Sequence, residues 1–339
     1  IEGIDKHPRT LAVEAEAMVA PLSPALHVLF GVFRGVLSDI APRPGIVGGS
    51  FFQAPNPRGS IAAKQIMTPQ NEDRLRTALQ TAEKHAPQLV QGMDGWYVLD
   101  PWKDKFVETL GGTRGLEKYS KWNALTAMNS PGSPVDWEIP RGSSAYMMDE
   151  KGRIQDWFDY GGQSLYNRGN DFPQELYGVQ GHPYHSTAHG EPIRKYLEAG
   201  EMQTKEPKVP LYRQASEAPE IGFQTDTPVP DAHWSRAVGL GDTRGGSKSQ
   251  WGKSASASEM TDLAPWWRDE IAGEIGIEGV PAQARAWGLF APQTGVQTAV
   301  GAPKLELIAN ALMDTARRLD VSPEKAMEMV IKGEAYAGK

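Results

Sequence analysis

Apolar residues recur along most of this chain at the three- and four-residue spacing of amphipathic helices. In one segment Leu116, Tyr119, Trp122, Leu125 and Met128 recur every third residue and form one apolar stripe, which predicts a core-facing helix. Convincing alternation of apolar and polar residues, the mark of half-buried strands, is lacking. The chain is therefore predicted to be mainly α, with further helices over the following ranges: 9–40, 68–87, 257–276, 280–292, 302–320 and 322–335.

Proline and glycine divide this helical pattern into segments. Residues 41–60 are dense in both and predict a long irregular connection, and 130–192 are predicted to be irregular as well. An aromatic run at 95–102 predicts one strand or an extended arm. These breaks predict four parts: an N-terminal helical and extended region (1–60), a helix with a connecting arm (61–104), a helical domain with long irregular loops (105–300) and a C-terminal helical pair (301–339).

Three of the predicted helices begin with a capping signal. Thr68 and Ser322 each precede a proline, which is favoured at the first helical position. Asp231 precedes "AHWSRAVGL" and is expected to accept hydrogen bonds from the free amides of that helix. The apolar residues of the same helix are expected to face the core: Trp234, Ala237, Val238 and Leu240.

The composition and charge of the chain exclude or disfavour several kinds of functional site. The chain of 339 residues contains no cysteine, which excludes disulfides, thiolate metal sites and cysteine nucleophiles. Its formal net charge of -7 disfavours non-specific coating of nucleic acid but is compatible with a local basic groove. The most apolar segment contains His27, Arg34 and Asp39, so a buried or partner-facing helix is favoured over a membrane span. We expect no membrane partner and no secretion signal.

The sequence contains one candidate metal site, the histidines of "GHPYHSTAHG": His182, His185 and His189. Imidazoles four residues apart on a helix can share a metal ion. However, Pro183 and the flanking glycines disfavour a regular helix, and the glutamate of a His-Glu-x-x-His motif is missing. A polar loop is therefore favoured over a metal site, and no cofactor is expected. Nucleophile-elbow, Walker and dinucleotide motifs are missing too.

The stretch "PDAHWSRAVGLGDTRGG" brings an acid, a histidine and an arginine together at Asp231, His233 and Arg236. In purely structural terms, Asp231 is an ordinary capping residue. A carboxylate at the start of a helix can also stabilise positive charge on a sugar while a base departs. The segment that follows either offers cations to DNA phosphates or is a solvated loop. Its cations are Arg244, Lys248 and Lys253.

"VPDAHWSRAVGL" resembles the Val-Asp-Thr-His-Val-x-Arg segment of the helix-hairpin-helix DNA glycosylases, the superfamily of endonuclease III and 8-oxoguanine glycosylase. "MNSPGSPV" and "PWWRDEIAGEIGIEGVPAQARAWGLFAP" are similar to related domains of phage and prophage proteins. The resemblance covers about residues 105–300 and implies a helix-hairpin-helix, glycosylase-like fold. The Leu-Pro-Gly-x-Gly hairpin of that family has no counterpart upstream of Asp231.

For function, the resemblance implies base excision from DNA, with Asp231 as the catalytic carboxylate. Lys208 in "EPKVPLY" is the one candidate counterpart of the nucleophilic lysine of the family, although it lacks the flanking glycines. Arg236 joins the three cations as a DNA contact. Three aromatic residues are candidates to stack a flipped base: Tyr212, Trp234 and Trp251. The alternative is a non-catalytic phage virion or DNA-ejection-associated protein that keeps the fold. The expected partners are DNA, other phage proteins or the rest of a larger polypeptide, in the host cytoplasm or the virion.

Overall fold

The structure, a computed structural model, describes residues 63–85, 87–131, 135–161, 187–200, 202, 207–220, 222, 225–240, 255–290 and 304–334. All of them belong to one unit of the chain, residues 46–339. Helix accounts for 78% of these residues and no strand occurs among them, so the prediction of a mainly α fold is confirmed. The helix-hairpin-helix arrangement stays a prediction. No helix in these ranges is both long and apolar enough to span a bilayer.

We number the helices of the described ranges in chain order. They are α1 (Ala63–Ile66), α2 (Pro69–His85), α3 (Pro87–Asp94), α4 (Asp100–Leu110), α5 (Gly112–Met128), α6 (Val135–Glu150), α7 (Ile154–Gly161), α8 (Thr187–Ala199), α9 (Lys208–Ala215), α10 (Ala232–Val238), α11 (Ala257–Trp266), α12 (Gly279–Phe290), α13 (Lys304–Leu319) and α14 (Pro323–Ile331). A π-helical turn, Trp267–Ala272, and a 3-10 turn, Gly273–Ile275, continue the chain from α11 toward α12.

Local signals at helix starts are confirmed, whereas the strand or arm predicted over 95–102 is wrong. At the start of α2, Thr68 Oγ1 accepts a hydrogen bond from Asn71 N at 3.3 Å. Ser322 Oγ caps α14 in the same way. Residues 95–97 form a turn, and α4 begins at Asp100 with a proline in its first turn, a position that favours a helix start.

The region predicted to be irregular, 130–192, contains α6, α7 and the first residues of α8. Pro140 and Gly142 lie inside α6, and both residue types disfavour helix interiors. Close packing against α5 explains why this helix forms. A Cβ at Gly142 would lie only 2.5 Å from Thr126 Cα, so the two backbones approach closely because this residue has no side chain.

One group of helices packs around an aromatic core. Within it α4, α5 and α6 pack in sequence, α9 packs on α5, and α13 and α14 pack on α6. Trp102 meets the rings of Phe106 and Trp122 edge-on, with centroids 5.3 and 5.7 Å apart. Four residues of the predicted stripe on α5 are buried, and Leu116 is half-buried. The buried four are Tyr119, Trp122, Leu125 and Met128.

A second group, which contains α1, α2, α10, α11, the π-helical turn and α12, surrounds another apolar core. Trp234 of α10 meets Trp267 of the π-helical turn edge-on, with ring centroids 5.6 Å apart. Arg74 of α2 donates a hydrogen bond to the Ala237 carbonyl of α10 at 2.6 Å. The end of α10 is therefore held by a side chain from a distant helix.

The two groups meet where the end of α3 and the turn after it pack against α9 and α12. The ring of Tyr97 lies edge-on to that of Tyr212, with centroids 5.6 Å apart. Arg285 of α12 donates two parallel hydrogen bonds to the carboxylate of Asp94, at 2.5 and 2.7 Å. Paired contacts of this kind are among the stronger hydrogen bonds in proteins and restrict the orientation of both groups.

Gly115→Ala should destabilise the crossing of α4 and α5. A Cβ at Gly115 would lie 2.6 Å from Phe106 O and 2.6 Å from Val107 Cα, and backbone atoms cannot move aside by rotating a side chain. We expect the free energy of unfolding to fall by about 2 kcal/mol or more, as for other overpacked sites. Denaturant titration checks this value. Gly112→Ala, in the same helix but with nothing within 4 Å of its Cβ, is the matched control, and an equal loss in both variants would contradict the prediction.

Candidate functional site

α10 is defined at both ends by its own sequence. Asp231 has extended backbone angles (φ -73°, ψ 171°), and its Oδ1 accepts a hydrogen bond from Trp234 N at 2.6 Å, which confirms the predicted cap. The helix ends at Gly239 (φ 99°), where Leu240 N donates to Ser235 O at 2.8 Å in a Schellman turn. The four apolar residues predicted to face the core are all buried there: Trp234, Ala237, Val238 and Leu240.

The other carboxylate oxygen of Asp231, Oδ2, accepts no hydrogen bond from a residue that the structure describes. His233 lies beside it, with its ring 6.4 Å from that of Trp287. Burial lowers the pKa of His233, the positive charges of Arg236 and Lys208 lower it further, and the charge of Asp231 opposes them. The imidazole is therefore mostly neutral at pH 7.

Lys208 links the start of α9 to the end of α5. Its Nζ donates a hydrogen bond to the Ser130 carbonyl at 3.1 Å. Ser130 is itself buried, and its Oγ has no hydrogen-bond partner among the described residues. The charges of the two residues predicted to be catalytic, Asp231 and Lys208, thus both act on His233, although the two residues begin different helices.

One turn further along α9, Tyr212 is the centre of a buried group of charges. Its hydroxyl donates a hydrogen bond to Glu138 Oε1 of α6. Lys304, the first residue of α13, places its Nζ 4.2 Å from the centroid of the Tyr212 ring. Lys304 is fully buried, and in the part of the chain that the structure describes its Nζ has no hydrogen-bond partner. Burial lowers the pKa of Lys304 to about 8, and the nearby Glu138 opposes the shift.

Tyr97 connects this buried group to Asp231. Burial raises the pKa of Tyr97 well above its ordinary value, and the negative charges of Asp231 and Glu138 raise it further, against a hydrogen bond with Gln283. Both carboxyl groups therefore act on the same phenol. We use the term polar cluster for the residues that these contacts and charge interactions link: Tyr97, Glu138, Lys208, Tyr212, Asp231, His233 and Lys304.

The predicted stacking residues occupy the core. Tyr212 is 5% exposed and Trp234 is 0% exposed, so a flipped base could stack on either ring only if the core opened. Tyr212 instead contributes to the polar cluster, and Trp234 packs on Trp267. Arg236, a predicted DNA contact, is half-buried on α10.

The remaining predicted residues fall largely outside the described ranges. This applies to the other DNA contacts and stacking residue, and to two of the histidines: Arg244, Lys248, Trp251, Lys253, His182 and His185. His189 lies in α8, but its side chain is not described. Among the described residues no group of three or more histidines and acids is arranged to hold a metal ion.

Sequence reasoning missed Tyr97, Glu138 and Lys304. Glu138 falls in the region predicted to be irregular. The sequence there shows no helical periodicity that would assign a residue to the buried or the exposed face of a helix. Lys304 did carry a signal, because it shares the buried face of α13 with Ile308 and Leu312 at four-residue intervals. A lysine at a core position of an amphipathic helix is rarely buried without a reason.

Asp231→Ala should weaken α10 by removing its cap. We expect the free energy of unfolding to fall by about 1 kcal/mol, because the Trp234 amide loses its acceptor. Asp231→Asn is the matched control, since an asparagine oxygen can accept the same hydrogen bond without the charge. Denaturant titrations of both variants check this, and an asparagine variant as unstable as the alanine variant would contradict the capping role.

Lys304→Met should abolish a rise in stability at alkaline pH. The pKa of Lys304 is about 8 in the folded chain against an ordinary 10.5, so between these values the unfolded chain binds more protons. The wild-type free energy of unfolding therefore rises with pH above about 8, and the variant should lack this rise. Below that pH the variant should be more stable by about 2 kcal/mol, because removing the cost of burying a charge outweighs the lost cation–π contact.

Denaturant titrations between about pH 7 and pH 9.5 measure this effect, below the ordinary tyrosine pKa of 10.0. Lys84→Met removes an exposed lysine near the end of α2 and should keep the wild-type pH dependence. If Lys304→Met shows the same pH dependence as the wild type, Lys304 is not held at a lowered pKa.

Comparisons of the chain with protein-family models, curated proteins and solved structures give no match. The function is therefore inferred from the geometry of the polar cluster and from the resemblance carried by the segment around Asp231.

Proposed function

We propose that the polar cluster is a base-excision site for DNA, with Asp231 as its catalytic carboxylate. The observation that carries the proposal is the carboxylate of Asp231, which is held as the cap of α10 two residues before His233, an imidazole on which the charges of Asp231 and Lys208 both act. Asp231 is held by its cap through Oδ1, while no described residue donates to Oδ2. A carboxylate that is rigidly held and has a free oxygen can act on charge that develops in a substrate.

In this proposal the bond between the sugar carbon and the base breaks, and its electron pair leaves with the base. Positive charge then develops on the sugar, and the carboxylate of Asp231 stabilises it. Water adds to the sugar carbon, the neutral imidazole of His233 accepts the proton, and the base takes up that proton as it leaves. The products are an abasic sugar and a free base, so atoms and charges balance.

Lys208 carries the amine that, by the resemblance, would attack the sugar carbon. Its positive charge lowers the pKa of His233. Its Nζ donates to the Ser130 carbonyl, and this bond would have to break before the amine could attack a sugar carbon. Base release without strand cleavage is therefore the activity that the geometry favours.

A non-catalytic phage virion or DNA-ejection-associated protein is the second candidate function. The structural roles of the proposed catalytic residues favour it, because Asp231 caps α10 and Lys208 donates a hydrogen bond at the end of α5. The burial of Trp234 and Tyr212 also favours it, since neither ring is open to a base.

Incubation of the full chain with duplexes that carry uracil, 8-oxoguanine or a modified thymine tests the first candidate. The wild type should release the base from at least one of them. Asp231→Asn should lower the rate at least about 100-fold, because it removes the charge that stabilises the transition state. It should also keep the stability of the wild type, because it retains the cap.

Base release by Asp231→Asn at the wild-type rate would refute the role of this carboxylate. Release from none of the duplexes would refute the excision activity and leave the non-catalytic candidate. Chemical cleavage at abasic sites after the incubation separates base release from strand cleavage, and it therefore reports on Lys208 independently.

A further inference from the structure

The start of α13 covers one side of the polar cluster. Lys304, the first residue of this helix, extends into the core and places its Nζ 4.2 Å from the centroid of the Tyr212 ring. Tyr212 is 5% exposed, and Glu138, which accepts its hydrogen bond, is buried as well. Lys304 must therefore leave this position before the face of the ring that it covers can meet solvent.

The Lys304 ammonium is poorly stabilised in this closed position. Its Nζ is buried and has no hydrogen-bond partner in the part of the chain that the structure describes. Two groups of the described residues face it: the Tyr212 ring of α9, and the Glu138 carboxyl group of α6, whose charge raises its pKa. A buried ammonium loses its hydration, and without hydrogen bonds this loss is not fully replaced. The closed position is therefore costly whenever the amine is protonated.

The packing of α13 against α4 and α6 is incomplete. A cavity of about 20 Å³ lies between these helices. Its lining includes Trp102, Pro140 and Met147 on one side and Ile308, Leu312 and Val330 on the other. Atoms that line a cavity lose dispersion contacts, because no partner atom lies opposite them. The first turns of α13 are therefore held less tightly than those of a fully packed helix.

The end of α14, in contrast, is attached to α6 by hydrogen bonds. The Tyr146 hydroxyl donates to the Ile331 carbonyl at 2.8 Å, and the Lys151 ammonium donates to the Glu334 carbonyl at 3.1 Å. Neither bond involves a residue of α13. The start of α13 can therefore open while the end of α14 stays in place, as in other local openings of folded chains.

We propose that the first turns of α13, residues 304–312, are a cover over Tyr212 that opens locally when Lys304 is protonated. In the open form the Lys304 ammonium lies in water, and one face of the Tyr212 ring is uncovered. The opening is a property of the chain by itself. Its use, as control over whether the polar cluster can stack a flipped base, rests on the proposed function.

The direction of the pH dependence follows from the pKa of Lys304. This pKa is about 8 in the closed form, and in the open form the amine has its ordinary value of 10.5. Below pH 8 the amine is protonated in both forms, so the open form is favoured most. Above pH 8 the closed form loses its proton first, and opening becomes less favourable. The equilibrium constant for opening should therefore fall about tenfold from pH 7 to pH 9.

Hydrogen–deuterium exchange of the full chain, read by mass spectrometry at pH 7 and pH 9, tests the proposal. Each rate is corrected for the intrinsic exchange rate at that pH. We expect the amides of residues 308–312 to exchange faster than those of residues 122–128, which are buried in α5 and report on global unfolding. We also expect the protection of 308–312 to rise about tenfold between the two pH values.

Two lysine variants assign the effect to one amine. Lys304→Met keeps a long apolar side chain and removes the titrating group. The protection of 308–312 should then exceed that of the wild type at pH 7 and no longer change with pH. Lys325→Met removes an exposed lysine of α14 and should keep the wild-type pH dependence. The wild-type measurement tests the proposal even if a variant does not fold.

The proposal is overturned if residues 308–312 exchange no faster than 122–128, because α13 then opens only when the whole chain unfolds. It is also overturned if they exchange faster but their protection does not change with pH, since the opening would then be independent of the amine. The exchange measurement contains no DNA, so its outcome can be read whichever result the base-release assay gives.

Discussion

Glu138 and Lys304 bring a carboxyl group and an amine into the helical core from α6 and α13, and both meet Tyr212 of α9. Buried groups of this kind are costly unless they find partners. The phenol of Tyr212 is a partner for both groups, because its hydroxyl donates a hydrogen bond to the Glu138 carboxyl group and its ring faces the Lys304 ammonium. α9 therefore has one position relative to α6 and α13. That position places Lys208, one turn earlier, at the end of α5.

The same position of α9 sets the rest of the polar cluster. Tyr97 packs edge-on against Tyr212, and Asp231 and Glu138 both act on its hydroxyl. The polar cluster therefore combines two carboxyl groups, two amines, a neutral imidazole and two phenols.

Local chemistry explains what could be predicted. The caps at Thr68, Asp231 and Ser322 involve residues within three positions of each other, so their signals are complete in a short stretch. α6 was missed for the opposite reason. Pro140 and Gly142 disfavour a helix locally, and only the close approach to Thr126 makes a glycine favourable there. Glu138 was missed together with the helix that carries it.

The sequence by itself determined the helical class of the fold, the start of α10, and the capping role of Asp231. These features depend on periodicity and on hydrogen bonds between near neighbours. Only the tertiary structure decided that Tyr97, Glu138, Tyr212 and Lys304 meet, because they come from four separate segments. It also decided that Trp234 and Tyr212 face the core. Long-range packing sets burial and charge environment, and no short stretch of sequence contains that information.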